Sequence, residues 1–339
     1  MTISATPPVT PERIMQFAWG YVPPLVLEAA IRHHVFDLLD SGPKTVHEIH
    51  KETGASERGL TAIMNVLVGL NFLAKDKQCS FSLTPESAAF LVSTKPGFQG
   101  GLLRHTSQQL IPKWLHLNEI VATGQPVEAV NQEGPGGHFF QEFVNDIFPM
   151  SYPAAQALAQ YFATNGAGPP VRVLDLAAGS GVWSIALAQK FEQLRATAVD
   201  WAEVIPVTRK TVTRFGLADR FSFVEGDLLE VDFGSDHSLA TLGQILHSEG
   251  RERSRALLAK TFRALIPGGT IAIAEFLVSQ DRTGPLSGLF FAVNMLVNTD
   301  SGGTYSFEEI GAWLKEAGFI NMRTLEAPGP SPLILASKP

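Results

Sequence analysis

The residues best suited to chemistry gather in the second half of the chain. An apolar run, VRVLDLA, leads through Asp175-Leu176-Ala177-Ala178-Gly179-Ser180-Gly181 into the helical pattern GVWSIALAQKF. Glycines at such a turn let the backbone reverse tightly and approach a ligand at the switch point of an α/β sheet. A second run, RATAVD, ends in Asp200, 21 residues after Gly179. An acid there can accept both hydroxyls of a ribose. Trp201 follows with a ring able to stack on a base. Gly226-Asp227-Leu228 closes a third run, where Asp227 can accept an adenine amino proton. Two classes of nucleotide ligand fit this plan. A dinucleotide wants a third small position, here Ser184, and a diphosphate on the helix N-terminus. Asp175 would repel that diphosphate, whereas it suits a cationic amino-acid end. Further on, His247 ends the run SLATLGQIL and Glu275 ends TIAIAE, both at the edge where α/β sites form.

These residues need a scaffold, and the patterns around them describe one. After residue 170, strand-like runs (VRVLDLA, RATAVD, RFSFVEG, SLATLGQIL, TIAIAEFLV) alternate with helical ones. The helices are GVWSIALAQKF, AEVIPVTRKTVTRFG, RERSRALLAKTFRALIPGG and SFEEIGAWLKEAGF, and two last strands lie around MRTLEA and PLILAS. Buried strands between helices predict a mostly parallel sheet covered on both faces. Ahead of it, 100–162 reads as helical, with loops at Gly124-Gln125-Pro126 and Gly134-Pro135-Gly136-Gly137. TNGAGPP (164–170) is the clearest linker.

The N-terminal third has another texture. Residues 10–40 read as helix opened by Thr10-Pro11-Glu12, interrupted by Pro23-Pro24 and continuous over 25–39. Thr45 then caps VHEIHKETG, Ser56 opens a helix over 57–70, and FLAKDKQ with CSFSLT forms a hairpin. That order predicts a winged helix. Its six basic and five acidic residues between 44 and 95 nearly balance, and ERGLTAIMNVLVGL offers one arginine and a wide apolar face. Packing explains this module better than DNA reading.

Composition sets outer bounds. The 339 residues suit two domains, and 45% hydrophobic with 17% charged residues is a globular balance. A net charge of −7 argues against a dedicated nucleic-acid binder. One cysteine, Cys79, excludes an intramolecular disulfide and a multi-cysteine metal cluster. The best apolar run, 289–297, is too short to span a membrane, and MTISATPPVTPE lacks a signal-peptide pattern. A soluble, cytoplasmic protein is expected.

The stretches VLDLAAGSG, AVDWAEVIPV, RFSFVEGDLLE, QILHSEGRERSRALL, IPGGTIAIAEFLV and SFEEIGAWLKEAGF together carry a resemblance over nearly the whole chain. It resembles the S-adenosylmethionine-dependent small-molecule O-methyltransferases of the caffeic-acid and hydroxyindole type, including bacterial members. The resemblance implies an α/β fold with a Rossmann-like class I methyltransferase sheet at 169–339. It also implies a winged-helix dimerisation domain at 1–98, a helical connector at 99–168 contributing to the substrate pocket, and a homodimer. By position, Asp175, Ala177, Gly179 and Gly181 would line the methionine part of S-adenosylmethionine. Asp200 would hold the ribose, Trp201 and Leu228 would sandwich the adenine, and Asp227 would bind its amino group. Two departures stand out: Ala177 and Ala178 replace family glycines, and Gly243 stands where a lysine is common.

Methyl transfer from a sulfonium is an in-line displacement that needs alignment and exclusion of water. A phenolic hydroxyl, with a pKa of about 10, is a poor nucleophile until its proton leaves. The resemblance makes His247 the general base and Glu275 the acid that orients it, with S-adenosylhomocysteine as product and no metal. Ser248-Glu249 replaces the family's acid and aromatic, and Thr304-Tyr305 follows Gly302-Gly303 where a second glutamate is common. Phe143, Phe148, Met150, Asn294, Met295 and Asn298 fall at acceptor-lining positions and suit a flat, apolar small molecule. The remaining histidines read as surface or packing: His33-His34 on a helix, His47 and His50 on a polar face, His237 in a polar loop. His105 and His116 lie in the connector. Three alternatives remain: C- or N-methylation on the same fold, a ligand-sensing winged-helix regulator, and a nicotinamide oxidoreductase. Asp175 and the missing third glycine disfavour the last.

Overall fold

The computed structural model describes residues 9–164, 168 and 170–339, so residues 165–167 and 169 of the expected linker lie outside the described residues. Two compact units divide between Ile111 and Pro112.

The first unit opens with α1 (Glu12–Ala18), α2 (Val22–Arg32) and α3 (Val35–Leu39). The first break falls at Trp19–Tyr21, not at Pro23-Pro24. Those prolines sit in the first turn of α2, where a missing N–H removes no intrahelical bond. The single helix expected over 25–39 is two, because His34 turns left-handed at φ 54°. Thr45 and Glu48 form a reciprocal capping box on α4 (Val46–Thr53), and Ser56 caps α5 (Glu57–Gly69). β1 (Leu73–Lys75) and β2 (Phe81–Leu83) pair antiparallel as the expected hairpin. α6 (Pro85–Phe90), α7 (Gly100–His105) and a π-helical turn, Thr106–Leu110, complete the unit. Phe36, Ile49, Leu60, Met64, Leu67 and Phe81 fill its core, while Phe17, Trp19 and Tyr21 stay exposed. Contrary to the sequence expectation, residues Glu12–Arg32 are long and apolar enough to cross a membrane by length and composition. The turn at Trp19–Tyr21 divides that stretch into two helices.

The second unit carries α8 (Ile111–Trp114), α9 (Leu117–Thr123), α10 (Pro135–Asp146) and α11 (Phe148–Thr164) ahead of its sheet. Pro135-Gly136-Gly137, expected in a loop, forms the first turn of α10. The strands are β3 (Arg172–Leu176), β4 (Arg195–Asp200), β5 (Phe221–Glu225), β6 (His237–Gly243), β7 (Leu265–Ala274), β8 (Ile320–Leu325) and β9 (Leu333–Ser337). Their order is β5-β4-β3-β6-β7-β9-β8, with β9 antiparallel to both neighbours and the rest parallel. Helices α12 (Val182–Lys190), α13 (Ile205–Arg214), α14 (Leu246–Ala264), α15 (Leu286–Asn298) and α16 (Phe307–Ala317) complete the unit. Alternate strand residues feed two cores. Val173 packs with Phe162, Ile185 and Leu335, while Leu174 and Leu176 pack with Leu257, Ile273 and Leu314. Strand order reverses between β4 and β6 around β3, which opens a crevice at the carboxyl ends of these strands.

The turn at that crevice holds one strained residue. Ala177 adopts φ 51°, a left-handed conformation that its Cβ disfavours and a glycine accepts freely. Ala177→Gly is expected to raise the unfolding free energy by about 0.5–1 kcal/mol in urea titrations. A midpoint that stays put or falls would show that the turn carries no such strain.

Candidate active site

His247 does not end a strand. β6 stops at Gly243, Gln244 turns left-handed at φ 62°, and His247 is the second residue of α14. The apolar QIL stretch looked like strand because its alternation continues past the last ladder bond. Glu275 directly follows β7, and its carboxylate reaches across to the same turn. Glu275 Oε2 accepts from His247 Nδ1 at 2.7 Å, while Oε1 accepts from the backbone N–H of Leu246 at 2.7 Å and of His247 at 3.3 Å. Both side chains are buried. With a carboxylate on Nδ1, the proton of the neutral ring sits there, and Nε2 presents its lone pair. No hydrogen bond to Nε2 forms among the described residues. Phe291 meets the ring edge-on at 4.8 Å and Phe276 at 6.4 Å, and these two stack at 3.8 Å. Gly303 donates its N–H to the His247 carbonyl at 2.8 Å, and Asn131 Nδ2 donates to that of Ser248 at 3.3 Å, which pins the turn.

Three acids line the crevice, each held differently. Asp175 is fully buried behind the glycine turn, and it accepts from the Ser184 hydroxyl and N–H and, at 2.7 Å, from the Thr241 hydroxyl. It therefore staples β3 to α12 and β6; facing a cationic ligand end, as its position suggested, is not what its carboxylate does. Burial pushes its pKa up to about 6. Asp200 accepts from the N–H groups of Gly179 at 2.7 Å and Trp201 at 2.8 Å, and no cation pairs with it among the described residues. Loss of water raises its carboxyl to about 6, partly offset by those two amides. Asp227 accepts from the Leu229 N–H at 2.8 Å and from Arg253 Nη2 at 2.6 Å. Arg253 Nε in turn donates to Glu249 Oε2 at 2.6 Å.

A family model for an O-methyltransferase domain matches residues 156–320, and one for an O-methyltransferase dimerisation domain matches 15–93. The chain belongs to the O-methyltransferase family. It is 28% identical over 335 residues to the 3-hydroxy-5-methyl-1-naphthoate 3-O-methyltransferase of Streptomyces sahachiroi, covering 96% of this chain and 95% of that one. It is 26% identical to the tetracenomycin polyketide synthesis 8-O-methyl transferase of Streptomyces glaucescens, over 97% of each chain. A crystal structure from Nostoc punctiforme, 26% identical, superimposes with a TM-score of 0.87 over 98% of this chain and 100% of that one.

S-adenosylmethionine is the methyl donor of this O-methyltransferase family, and the crevice fits it. A half-buried carboxylate held only by amides, Asp200, keeps lone pairs for hydroxyl donors. Gly179 adopts φ 55°, and a Cβ there would come within 3.3 Å of Val144, so the turn offers bare backbone. Trp201 stands half-buried, 6.0 Å edge-on from Phe140, and Leu228 is buried.

The acceptor residues divide. Asn294, Met295 and Asn298 share α15 with Phe291, which flanks the base. Trp114 Nε1 and Asn298 Nδ2 both donate to Asn294 Oδ1, at 3.2 and 3.1 Å, while buried Asn298 Oδ1 has no partner. Phe143 joins the Phe139–Phe140 cluster. Phe148 instead stacks on Tyr152 and Phe215 inside the core, and Met150 is exposed. Helix α11 starts at Phe148, and its core stripe claims that ring. His237, expected in a polar loop, is buried at the start of β6, with Nε2 against the Phe233 carbonyl at 2.8 Å. Sequence reading missed Phe276, Phe291 and Trp114. The first follows Glu275 directly, so adjacency was a usable signal. The other two come to the site only through helix packing. Among the described residues no group of three or more His, Cys, Asp or Glu gathers as a metal site.

The buried acids make stability pH-dependent. Asp175 and Asp200 keep protons in the folded chain up to about pH 6, whereas the unfolded chain releases them near 3.8. The stability they contribute is therefore complete below the unfolded pKa and is lost as pH rises through about 6. Asp175→Asn is expected to flatten that decline by on the order of 1–3 kcal/mol, measured as unfolding free energy across the acid-to-neutral range. Parallel pH profiles in the two proteins would refute the assignment.

Proposed function

We propose that the chain, as a cytoplasmic homodimer, methylates a hydroxyl on a small, flat aromatic acceptor, with His247 as general base. The observation that carries this reading is the buried His247–Glu275 pair, 2.7 Å apart, with Nε2 unpartnered among the described residues and aromatic rings on its flanks. The two Streptomyces relatives, named for methylation of a naphthoate and of a polyketide, support an aromatic acceptor. In this reading 1–98 dimerises, 99–168 lends pocket residues, and 169–339 binds the cofactor.

Bound S-adenosylmethionine supplies an electrophilic methyl group on a sulfonium. Everything else falls to the protein. Asp200 accepts the ribose hydroxyls, Trp201 and Leu228 hold the adenine, and Ala177, Gly179 and Gly181 present backbone to the amino-acid part. Asp227 reaches the adenine amino group beside Arg253. Phe143, Asn294, Met295 and Asn298 seat the acceptor. Nε2 of His247 takes the hydroxyl proton, and Glu275 stabilises the imidazolium that forms.

His247→Ala should lower methyl transfer by roughly 10²–10⁴-fold with cofactor affinity unchanged, and Glu275→Gln should fall between it and wild type. Near-normal turnover of His247→Ala on an acceptor still protonated at the assay pH would dismiss the base. Asp200→Ala should weaken S-adenosylmethionine binding by roughly 1.5–3 kcal/mol in calorimetry. Unaltered binding by a folded variant would take Asp200 out of the site.

A further inference from the structure

Gly243 closes β6 without a side chain, and Trp183 supplies the reason. A Cβ on Gly243 would lie 2.0 Å from Trp183 Nε1 and 2.5 Å from its Cδ1. The nitrogen edge of the indole therefore lies against bare backbone at the carboxyl edge of the sheet. It sits two residues after Gly181 in sequence and beside the strand end that leads to His247. Trp183 is only 5% exposed, yet its Nε1 makes no hydrogen bond among the described residues. Nor is that nitrogen sealed off: the fully enclosed, unpartnered polar atoms are Glu203 Oε2, His237 Nδ1 and Asn298 Oδ1. A buried indole N–H ordinarily has an acceptor. This one lies beside the end of β6, not fully enclosed, and has none among the described residues.

Four of the neighbouring donors are already engaged. The N–H groups of Ala178, Gly179, Gly181 and Ser184 go to the Val199 carbonyl, Asp200, the Ala178 carbonyl and Asp175. The ionisable side chains nearest the turn, Asp175 and Asp200, are acids. A carboxylate arriving at this turn needs a donor that neither acid supplies, and the Gly243 position, where a lysine is common in the resembled family, has no side chain.

We propose that Trp183 Nε1–H donates a hydrogen bond to the carboxylate of the amino-acid end of S-adenosylmethionine, in a slot that only glycine at 243 leaves open. The inference rests on the reading that the glycine turn holds that end of the cofactor. Calorimetry on the full chain can separate the two, using S-adenosylhomocysteine and methylthioadenosine, which keeps the nucleoside and sulfur but has no amino-acid end. Trp183→Phe retains a ring and loses the N–H. It is expected to bind S-adenosylhomocysteine roughly 5–20-fold more weakly while binding methylthioadenosine as wild type does. Equal losses for both ligands, or no loss for either, overturns the proposal. If Trp183→Phe does not fold, the wild-type protein labelled with ¹⁵N-tryptophan still decides. One indole N–H resonance should move downfield with S-adenosylhomocysteine and stay in place with methylthioadenosine, and its absence overturns the contact. A wild-type protein that binds neither ligand overturns the cofactor reading itself.

Discussion

The Glu275 carboxylate is shared between the backbone that enters α14 and the imidazole that leaves it. Oε1 takes the N–H groups of Leu246 and His247, and Oε2 takes Nδ1–H. A carboxylate removed from water costs several kcal/mol unless its lone pairs are met. Three donors meet them here, two from the first turn of a helix, where exposed N–H groups favour an anion. This bond set dictates where the strands stop. β6 and β7 run parallel with Gly243 opposite Ala274, so Glu275 leaves the ladder level with the turn it must reach.

Around this pair the other acids are separated by their partners rather than by their positions. Asp175 is met by hydroxyls and an N–H and belongs to the frame. Asp227 is met by Arg253, which also engages Glu249, so its negative charge is balanced on the spot. Asp200 alone faces the crevice with nothing but amides, and that leaves it able to accept from a ligand. Repulsion of a diphosphate by Asp175, one of two features that disfavoured a nicotinamide enzyme, is thus not a reason the structure supports. What distinguishes the site is the Asp200 environment together with family membership, not a charge at the mouth of the turn.

Legibility in the sequence followed the range of the forces involved. Caps at Thr45 and Ser56 and the strand runs were readable because each depends on neighbours within a few residues. The glycine turn and the later acids were readable because parallel strands end at one edge whatever the loops do. Breaks were harder. Pro23-Pro24 looks like an interruption, yet proline is welcome in a first turn, and nothing local announces the left-handed His34. The QIL stretch kept a strand-like alternation after its ladder had ended. Phe148 was misplaced for the opposite reason: its type suits a pocket, but which face of α11 meets the core is decided by packing against α12 and Phe215. Trp183 and Gly243 lie sixty residues apart, and only the close approach of their strand and helix relates them.

The support around His247 is sparse, and that bears on the acceptor. Ser248 follows it in place of an acid, and Glu249 is turned to Arg253. Tyr305, where the family often supplies a second glutamate nearby, is buried against Trp313, and burial pushes its phenol up to about 12. It stays neutral and adds no negative charge. Among the described residues Glu275 is then the one carboxylate in hydrogen-bond contact with the ring. Proton transfer to a base of fixed strength becomes easier as the donor becomes more acidic. Conjugation across a flat ring lowers the pKa of a hydroxyl, and the acceptor proposed above is such a ring. A His247 base with one carboxylate partner and an aromatic flank would therefore suit the same proposed class of acceptor, each for its own physical reason.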